Sequence, residues 1–520
     1  MKKPLIVFIP GLSGNSKCFD ELKLFLKKNT YLDDTFIVDF NYRKPFWSNA
    51  DLDVISNDLA NEIDNFFSTN KNEISKIILV GHSMGTTFLR RAFLNASGFG
   101  ISNILAQPWI DKVSRIILMG AIGRGIIIDN FPKWERRGLK FGIALFNFFG
   151  IGKMRLSVIN GADFISRLRI DWIKYNREIS IQPKLIHLLG KQDRLVKPSD
   201  VIDLEQFPNA IPIGVPKVGH RLIIFPNEFT KTPLIRAFTE TPESTREIEL
   251  DTDAQKIYFF MHGIRDSREC FEKVARLLKE QNPDSKIIIP TYGFLSAKGF
   301  LSSNYRNSFI PWFVDQFAEY YARYPKATFY FAGHSNGTYI LGEALKRIPS
   351  ISFSRIYLAA SVLPPNYQWD DVVEKNHQTD FIRSDMGTED WPVSVLCRVL
   401  NKFGMKSIGP GGADGFEWED DEYFSHNRFN GGHDAMLTLK NTPSIVSFLL
   451  NGTAVKDNNE LLKSPSTMFI IFKKFGDVLI PLGLLCVTAL LIYLFKIIIF
   501  PYKFLVLVVP ILIWIFLDRF

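Results

Sequence analysis

The feature that most constrains this chain is a pair of five-residue motifs of the form G-x-S-x-G, at residues 81–85 and 333–337. Each motif follows a short apolar stretch typical of a buried strand, and each precedes a helical pattern. Glycine is needed in such a connection because a Cβ would clash where the strand and the helix approach closely. The motifs therefore predict two sharp strand–turn–helix connections, each with a serine at its centre.

The spacing around the two serines, Ser83 and Ser335, is also duplicated. Each serine is preceded by an apolar strand that ends in a glycine turn, and that glycine lies 72 residues upstream in both copies (83 − 11 and 335 − 263). The strand-like residues 114–118 after the first serine are echoed by residues 354–358 after the second. The chain is therefore a tandem repeat of one large domain rather than an array of short repeats.

Apolar strands alternate with amphipathic helical stretches through both copies, which predicts the α/β class. We expect two tandem domains, each with a mostly parallel sheet covered by helices on both faces. The length of 520 residues accommodates two such domains and a C-terminal membrane segment. The predicted boundaries are a first domain at 1–240 with an insertion at about 124–180, a linker at 241–255, a second domain at 256–450, and a linker at 451–474.

Composition narrows the functional classes. The net charge of +8 is not concentrated in a dense basic run, so nucleic acid is not expected as a partner. The four cysteines are scattered and form no C-x-x-C pair, which argues against a structural zinc or a disulfide framework. The first residues lead directly into the first strand, so we expect no secretory leader. The sequence leaves protein partners open.

Residues 475–520 predict a membrane hairpin. An uncharged apolar run at 478–495, continued after Lys496 by residues 497–500, is long enough for a bilayer crossing, and a second, shorter run follows at 504–517. One span followed by a re-entrant or interfacial segment is an alternative, as is a buried pair of core helices. The basic pair at 473–474 and Arg519 favour a cytosolic position for both ends, and hence for both domains.

The first domain offers a complete set of residues for nucleophilic catalysis. A serine on such a turn takes its acid and its base from later in the chain. Of the three histidines, His82 adjoins Ser83 in the turn and His187 lies within a strand, which leaves His220 as the base. Asp193, on the loop after the strand of His187, is the candidate acid, although Asp193 and His220 could instead be an ordinary surface pair. The backbone N–H groups of Leu12 and Met84 are the candidate oxyanion hole.

The second domain repeats the pattern with less definition. Ser335 is the candidate nucleophile, and the N–H groups of Ile264 and Asn336 are the candidate oxyanion hole. His433, in a glycine-rich loop, is the favoured base ahead of His426. The favoured acid is Asp390, with Asp385 as runner-up. Only 55 residues separate Ser335 from Asp390, against 110 from Ser83 to Asp193 (390 − 335 and 193 − 83), so the second domain is expected to lack the insertion.

The insertion contains an aromatic, glycine-punctuated stretch at residues 139–150 with basic flanks. It predicts either a cap over an acyl pocket or a segment that lies at a membrane interface. An ordinary packed helix is the alternative.

Taken together, these residues resemble the lipase and esterase branch of the α/β-hydrolases over nearly all of residues 4–225. The resemblance rests on the motifs at 8–12 and 81–85, on Gln192-Asp193 and on Gly219-His220. The second domain is similar to α/β-hydrolase domains in its own glycine turn and serine motif. The resemblance implies cleavage of carboxylic esters through a serine, without a metal or an organic cofactor.

The sequence thus predicts a membrane-anchored serine hydrolase that cleaves esters or thioesters, with lipid or acyl substrates expected from its location at a bilayer. An acyltransferase with the same three residues is one alternative. A scaffold in which one domain is catalytically inactive, the second rather than the first, is the other.

Overall fold

The chain forms two compact units. The first comprises Met1–Thr252 with Phe317–Pro325, and the second comprises Asp253–Gln316 with Lys326–Phe520. The computed structural model describes the following residues: 2–12, 14–29, 34–45, 47–99, 105–179, 182–197, 200–201, 209–239, 255–264, 269–290, 297–324, 326–418, 420–452 and 462–497.

In the first unit the described residues form one six-stranded sheet in the order β2-β1-β3-β4-β5-β6, and every adjacent pair of strands is parallel. A parallel sheet needs a crossover between consecutive strands, and helices supply it. The strands are β1 (Lys3–Ile9), β2 (Phe36–Asp39), β3 (Ile74–His82), β4 (Val113–Met119), β5 (Lys184–Gly190) and β6 (Ala210–Val215). The helices are α1 (Asp20–Lys28), α2 (Leu52–Asn70), α3 (Gly85–Ala96), α4 (Lys133–Phe149), α5 (Lys153–Leu156), α6 (Asp163–Glu178) and α7 (Lys231–Thr239).

The strand β1 is apolar at nearly every position because both faces of this sheet are buried. Leu5, Val7 and Ile9 lie in one core cluster together with apolar residues of α2, α3 and α6. The alternate residues Ile6 and Phe8 lie in a second cluster with residues of α1 and α7. Successive side chains of a strand point to opposite faces, so one strand contributes to both layers of helices.

The second unit repeats the topology of the first. Its described strands pair in parallel in the order β8-β7-β9-β10-β11-β12. The strand that precedes the Ser335 turn, β9, lies beside β7, just as β3 lies beside β1 in the first unit. The strands are β7 (Lys256–Met261), β8 (Lys286–Ile288), β9 (Thr328–His334), β10 (Arg355–Ala359), β11 (Phe381–Gly387) and β12 (Phe424–Phe429). The helices are α8 (Glu269–Gln281), α9 (Ala297–Leu301), α10 (Ser303–Asn307), α11 (Phe309–Arg323), α12 (Asn336–Arg347), α13 (Arg398–Lys402), α14 (Gly411–Asp414), α15 (Thr442–Asn451) and α16 (Thr467–Ile497). The part of α11 from Phe317 onward belongs to the first unit.

The C-terminal helix α16 is long and apolar enough to cross a membrane, with 31 residues and a mean hydropathy of 2.6 in its most apolar window. None of that window is buried, so the alternative of a buried core helix is wrong for this segment. The helix begins at Thr467, inside the segment that we expected to be a linker at 451–474. Lys473 and Lys474 therefore lie within the helix. The second apolar run at 504–517 lies outside the described residues, and the hairpin stays a prediction.

The insertion predicted at about 124–180 consists of two different parts. Apolar residues of α6, among them Leu168 and Trp172, belong to the same core cluster as α2 and α3. Helix α4, in contrast, has no buried residue at all. Helix α4 therefore adds no residue to the buried core of the first unit.

Candidate active site

The first serine turn is strained in the way a nucleophile turn requires. Ser83 lies between β3 and α3 with a positive φ of 52°, and its N–H donates to the carbonyl of Met119 over 3.0 Å. A Cβ on Gly85 would lie 2.4 Å from the carbonyl oxygens of both Ile9 and Pro10. Glycine is therefore obligatory, and the turn holds the serine at the carboxyl end of the sheet. A non-glycine residue in this conformation costs about 1–3 kcal/mol, which the surrounding fold must offset.

The structure brings Ser83, His220 and Asp193 into one chain of hydrogen bonds. The Ser83 hydroxyl lies 2.8 Å from His220 Nε2, and His220 Nδ1 lies 2.7 Å from Asp193 Oδ2. With the imidazole proton on Nδ1, His220 donates to the carboxylate and Nε2 accepts from the serine. In this tautomer the imidazole can take the serine proton during attack.

The carboxylate of Asp193 is fixed in place. Its side chain is completely buried. Besides the imidazole, it accepts hydrogen bonds from the backbone N–H groups of Leu195 and Val196, over 2.8 and 3.0 Å. Three donors on a buried carboxylate define its orientation, and thereby that of the imidazole. Asp193 is therefore not one half of an exposed surface pair.

The turn after β1 lies directly against the serine. A Cβ on Gly11 would lie 2.9 Å from Ser83 Cβ, so only glycine allows this approach. The carbonyl of Gly11 accepts hydrogen bonds from Gly14 N–H and from the hydroxyl of Tyr42. Since a trans peptide points its N–H opposite to its C=O, the N–H of Leu12 is directed away from Tyr42. Nothing in the sequence pattern singled out Tyr42.

Two further residues position His220. The Nε2–H of His82 donates to the backbone carbonyl of His220 over 3.1 Å, and burial lowers the pKa of His82 to about 4, so its ring is neutral at pH 7. Gly120 follows β4 with a φ of 58°, and a Cβ there would lie 3.1 Å from both Cε1 and Nδ1 of His220. The sequence analysis excluded His82 as the base but did not assign it this role, and Gly120 carried no signal.

The second serine turn has almost the same geometry. Ser335 has a φ of 51°, and its N–H donates to the carbonyl of Ala359 over 2.9 Å. A Cβ on Gly263 would lie 2.8 Å from Ser335 Cβ, and one on Gly337 would lie 2.4 Å from the Met261 carbonyl. The two units therefore share the same backbone geometry around their serines.

The structure pairs His433 with Asp390 in the second unit. His433 Nδ1 lies 3.0 and 2.9 Å from the two carboxylate oxygens, and the Asp390 side chain is fully buried. The runner-up acid, Asp385, lies on β11 and forms a buried ion pair with Arg383, with hydrogen bonds of 2.9 and 2.7 Å. The second candidate base, His426, contacts the sulfur of Met386 at 3.0 Å instead.

The second unit differs from the first in the contact between the serine hydroxyl and the histidine. In the described part of the chain, Ser335 Oγ has no hydrogen bond to His433. Ala360 stands at the position of Gly120: its φ is 47°, and its N–H donates to the next strand's carbonyl, that of Asp385, over 2.8 Å. In the first unit a Cβ at this position would crowd the imidazole. The second unit therefore carries a methyl group at the position where the first unit has the glycine that adjoins its base.

The remaining predicted residues flank the two serines. Met84 is buried and precedes α3, whereas the side chain of Leu12 is exposed. Asn336 is buried at the first position of α12, and Ile264 follows the turn after β7. Within the described ranges, no group of three His, Cys, Asp or Glu side chains is arranged to hold a metal ion.

The sheet order, the strained serine turns and the buried acid–histidine pairs define the fold class: both units have the α/β-hydrolase fold. More narrowly, residues 1–101 match the family described as "Putative serine esterase (DUF676)". No curated protein matches the chain significantly.

Several solved structures are similar to part of the chain. The Pyrococcus furiosus esterase Pf2001 is 16% identical, with 45% of this chain and 80% of that chain covered and a TM-score of 0.30. The peroxisomal α/β-hydrolase Lpx1 of Saccharomyces cerevisiae is 12% identical, with 47% and 80% covered and a TM-score of 0.33. An esterase of Exiguobacterium antarcticum is 16% identical, with 46% and 92% covered and a TM-score of 0.28.

Proposed function

We propose that the first unit hydrolyses carboxylic esters or thioesters through Ser83, His220 and Asp193. The observation that carries the proposal is the continuous hydrogen-bond chain from the serine hydroxyl through the imidazole to the buried carboxylate. A serine hydroxyl is a weak nucleophile unless a positioned base accepts its proton, and this arrangement supplies that base.

The proposed reaction has two halves. Ser83 Oγ attacks the acyl carbon while its proton moves to His220 Nε2, and Asp193 stabilises the resulting imidazolium. The N–H groups of Leu12 and Met84 bind the oxyanion of the tetrahedral intermediate. His220 then gives its proton to the departing alcohol or thiol, which leaves an acyl-Ser83 ester. Water, deprotonated by His220, attacks that ester, and the acid leaves as Ser83 regains its proton.

We further propose that α16 anchors the protein in a membrane and that the substrate is lipophilic. The support for the substrate class is α4, which exposes a row of large apolar side chains along one side: Trp134, Phe141, Leu145, Phe148 and Phe149. These residues fall within an arc of about 100° on a helix of 3.6 residues per turn. Among the basic residues of α4, Arg137 borders this arc, and Lys133 and Lys140 follow further round the same side of the helix. An exposed aromatic face with basic flanks is typical of a helix that lies in a membrane interface.

The second unit is proposed to be the weaker or inactive partner. Its serine turn is complete and His433 is paired with Asp390, but Ser335 does not hydrogen-bond to this imidazole within the described residues. A serine without an engaged base keeps its proton and reacts slowly.

The basic pair Lys473-Lys474 at the start of the apolar run favours the cytosolic face for both units.

A fluorophosphonate probe and a short-chain nitrophenyl ester test the proposal on the full chain. We expect the probe to label Ser83 much faster than Ser335, and Ser83→Ala to abolish ester hydrolysis. Ser335→Ala is the matched control, because it removes the same hydroxyl from the same kind of turn and should leave most of the activity. Full activity in Ser83→Ala would refute the assignment.

A further inference from the structure

A cavity of about 570 Å³ lies in the second unit, beside the first turns of α16 and the carboxyl ends of β11 and β12. Its lining is strongly basic. Five positively charged residues contribute to it against one acidic residue, Asp414, an excess of four positive charges (5 − 1). The five are Arg398, Arg428, Lys463, Lys473 and Lys474.

Part of this basic lining is held in a fixed arrangement. Arg398 Nη2 and Lys473 Nζ both contact the carboxylate of Asp414, the latter at 3.2 Å. Asp414 thus ties α14 to both α13 and α16. Arg428 lies near the end of β12, and Lys463 precedes α16. The cations therefore come from four separate parts of the unit and converge on one cavity.

Helix α16 is attached to the same unit by several contacts close to the cavity. Ser466 N–H donates to the Glu389 carboxylate over 2.6 Å. The ring of Trp391 packs against Phe469 and Phe472, with ring centroids 5.4 and 5.6 Å apart. Lys402 pairs with Asp477 one turn further along the helix. The cavity wall and the apolar run therefore belong to the same helix, whose first turns are held against the second unit.

The position of the cavity along α16 places it at the level of lipid headgroups. The uncharged run at 478–495 would span about 27 Å at 1.5 Å per residue, close to the hydrocarbon thickness of a bilayer. Lys473 and Lys474 then lie at the edge of the hydrocarbon. Phe469 and Ile470, which also line the cavity, lie roughly 12 Å outside the start of the run. This interval corresponds to the headgroup layer and the water next to it.

We propose that this cavity binds the phosphate group of an anionic membrane phospholipid. The inference rests on the proposed membrane anchoring by α16. Arginine and lysine side chains recognise phosphate oxygens by charge-assisted hydrogen bonds, and basic pockets beside membrane helices suit acidic headgroups. A zwitterionic headgroup fits less well, because its own cation would face the excess positive charge.

The test uses the full-length chain in detergent micelles and a fluorescent phosphatidic acid, with binding followed by anisotropy. The double variant Arg428→Gln/Lys463→Gln removes two cavity charges and leaves the Asp414 contacts intact. Each basic residue near an anionic lipid surface contributes about fivefold in affinity, so we expect roughly 25-fold weaker binding. The control Lys273→Gln/Arg276→Gln removes the same charges from the exposed face of α8 and should change the affinity less than about twofold.

Unchanged affinity in the cavity variant, or equal weakening in the control, overturns the proposal. Competition by inorganic phosphate as strong as that by unlabelled phosphatidic acid assigns the cavity to a free anion and also overturns it, as does equal competition by phosphatidylcholine. The conservative variant Arg428→Lys/Lys463→Arg should retain binding, which separates charge from folding.

Failure of the membrane anchoring has a different signature. If α16 does not span a bilayer, alkaline carbonate releases the native protein from vesicles, whatever the phosphatidic acid titration shows. If only the cavity assignment is wrong, the protein stays in the vesicles and Ser83-dependent hydrolysis of a soluble ester is unchanged.

Discussion

Gly120 provides the sharpest test of the first site, because it touches the base without touching a substrate. In Gly120→Ala the new methyl group would lie 3.1 Å from Cε1 and Nδ1 of His220. Ordinary carbon contacts are about 3.5–4.0 Å, so the imidazole must move by roughly half an ångström. The hydrogen bond from Ser83, now 2.8 Å long, would then reach the outer limit of useful length.

The expected loss in kcat follows from how strongly enzyme rates depend on the position of a reacting group. A misplacement of about 1 Å at a reacting group can reduce the rate by about 10²-fold, so half of that corresponds to roughly a tenfold loss in kcat. Alanine at the positive φ of 58° adds a separate penalty of about 1 kcal/mol, which acts on folding rather than on catalysis.

The chain offers a matched control for that backbone penalty. Gly150 has a φ of 63°, and nothing lies within 4 Å of the Cβ that a substitution would add. Gly150→Ala should therefore lower the thermal unfolding midpoint by about as much as Gly120→Ala, while kcat for a soluble nitrophenyl ester stays unchanged. Equal kcat values in wild type and Gly120→Ala would refute the argument that glycine makes room for the base.

The second unit allows the reverse experiment. Ala360→Gly, made in a Ser83→Ala background, removes the methyl group at the equivalent position. We expect Ser335 to react faster with a fluorophosphonate, because His433 gains space to approach the serine. An unchanged labelling rate would show that Ala360 is not what separates the serine from its histidine.

Three further outcomes are expected. Asp193→Asn should reduce kcat by roughly 10⁴-fold, because an amide at this position no longer enforces the Nδ1–H tautomer of His220; a loss below tenfold would argue against its role. The pKa of His82 is 6.5 when unperturbed and about 4 when folded, so its contribution to stability is complete above pH 6.5 and is lost as the pH falls towards 4, by about 3 kcal/mol. In urea titrations His82→Gln should remove that dependence, and an equally steep acid loss in the variant would contradict it. Phe141→Ser/Phe148→Ser should reduce kcat/KM for a vesicle-borne ester by about 100-fold or more and spare a soluble ester, since each phenylalanine contributes about 1.5–3 kcal/mol on burial and 1.4 kcal/mol is tenfold; equal effects on both substrates would count against an interfacial role for α4.

Several features of the fold were predictable from the sequence because they depend on neighbours along the chain. The glycine pattern around Ser83 and Ser335 reports how closely strand and helix approach, a local requirement that any folded copy must meet. Apolar strands that alternate with amphipathic helices similarly imply a sheet with both faces covered. The chain order of serine, acid and base, with few histidines available, was enough to name Asp193 and His220.

Only the tertiary structure determines the distances between residues that are far apart in sequence. His220 and Ser83 are separated by 137 positions, and a pattern in the chain does not measure the 2.8 Å between them. Nor does it reveal that Asp385 is already engaged with Arg383, which leaves Asp390 for His433. The close approach of Gly120 to His220, and the open face of α4, are likewise packing properties. They arise only when separate elements meet, because van der Waals contact is decided within tenths of an ångström.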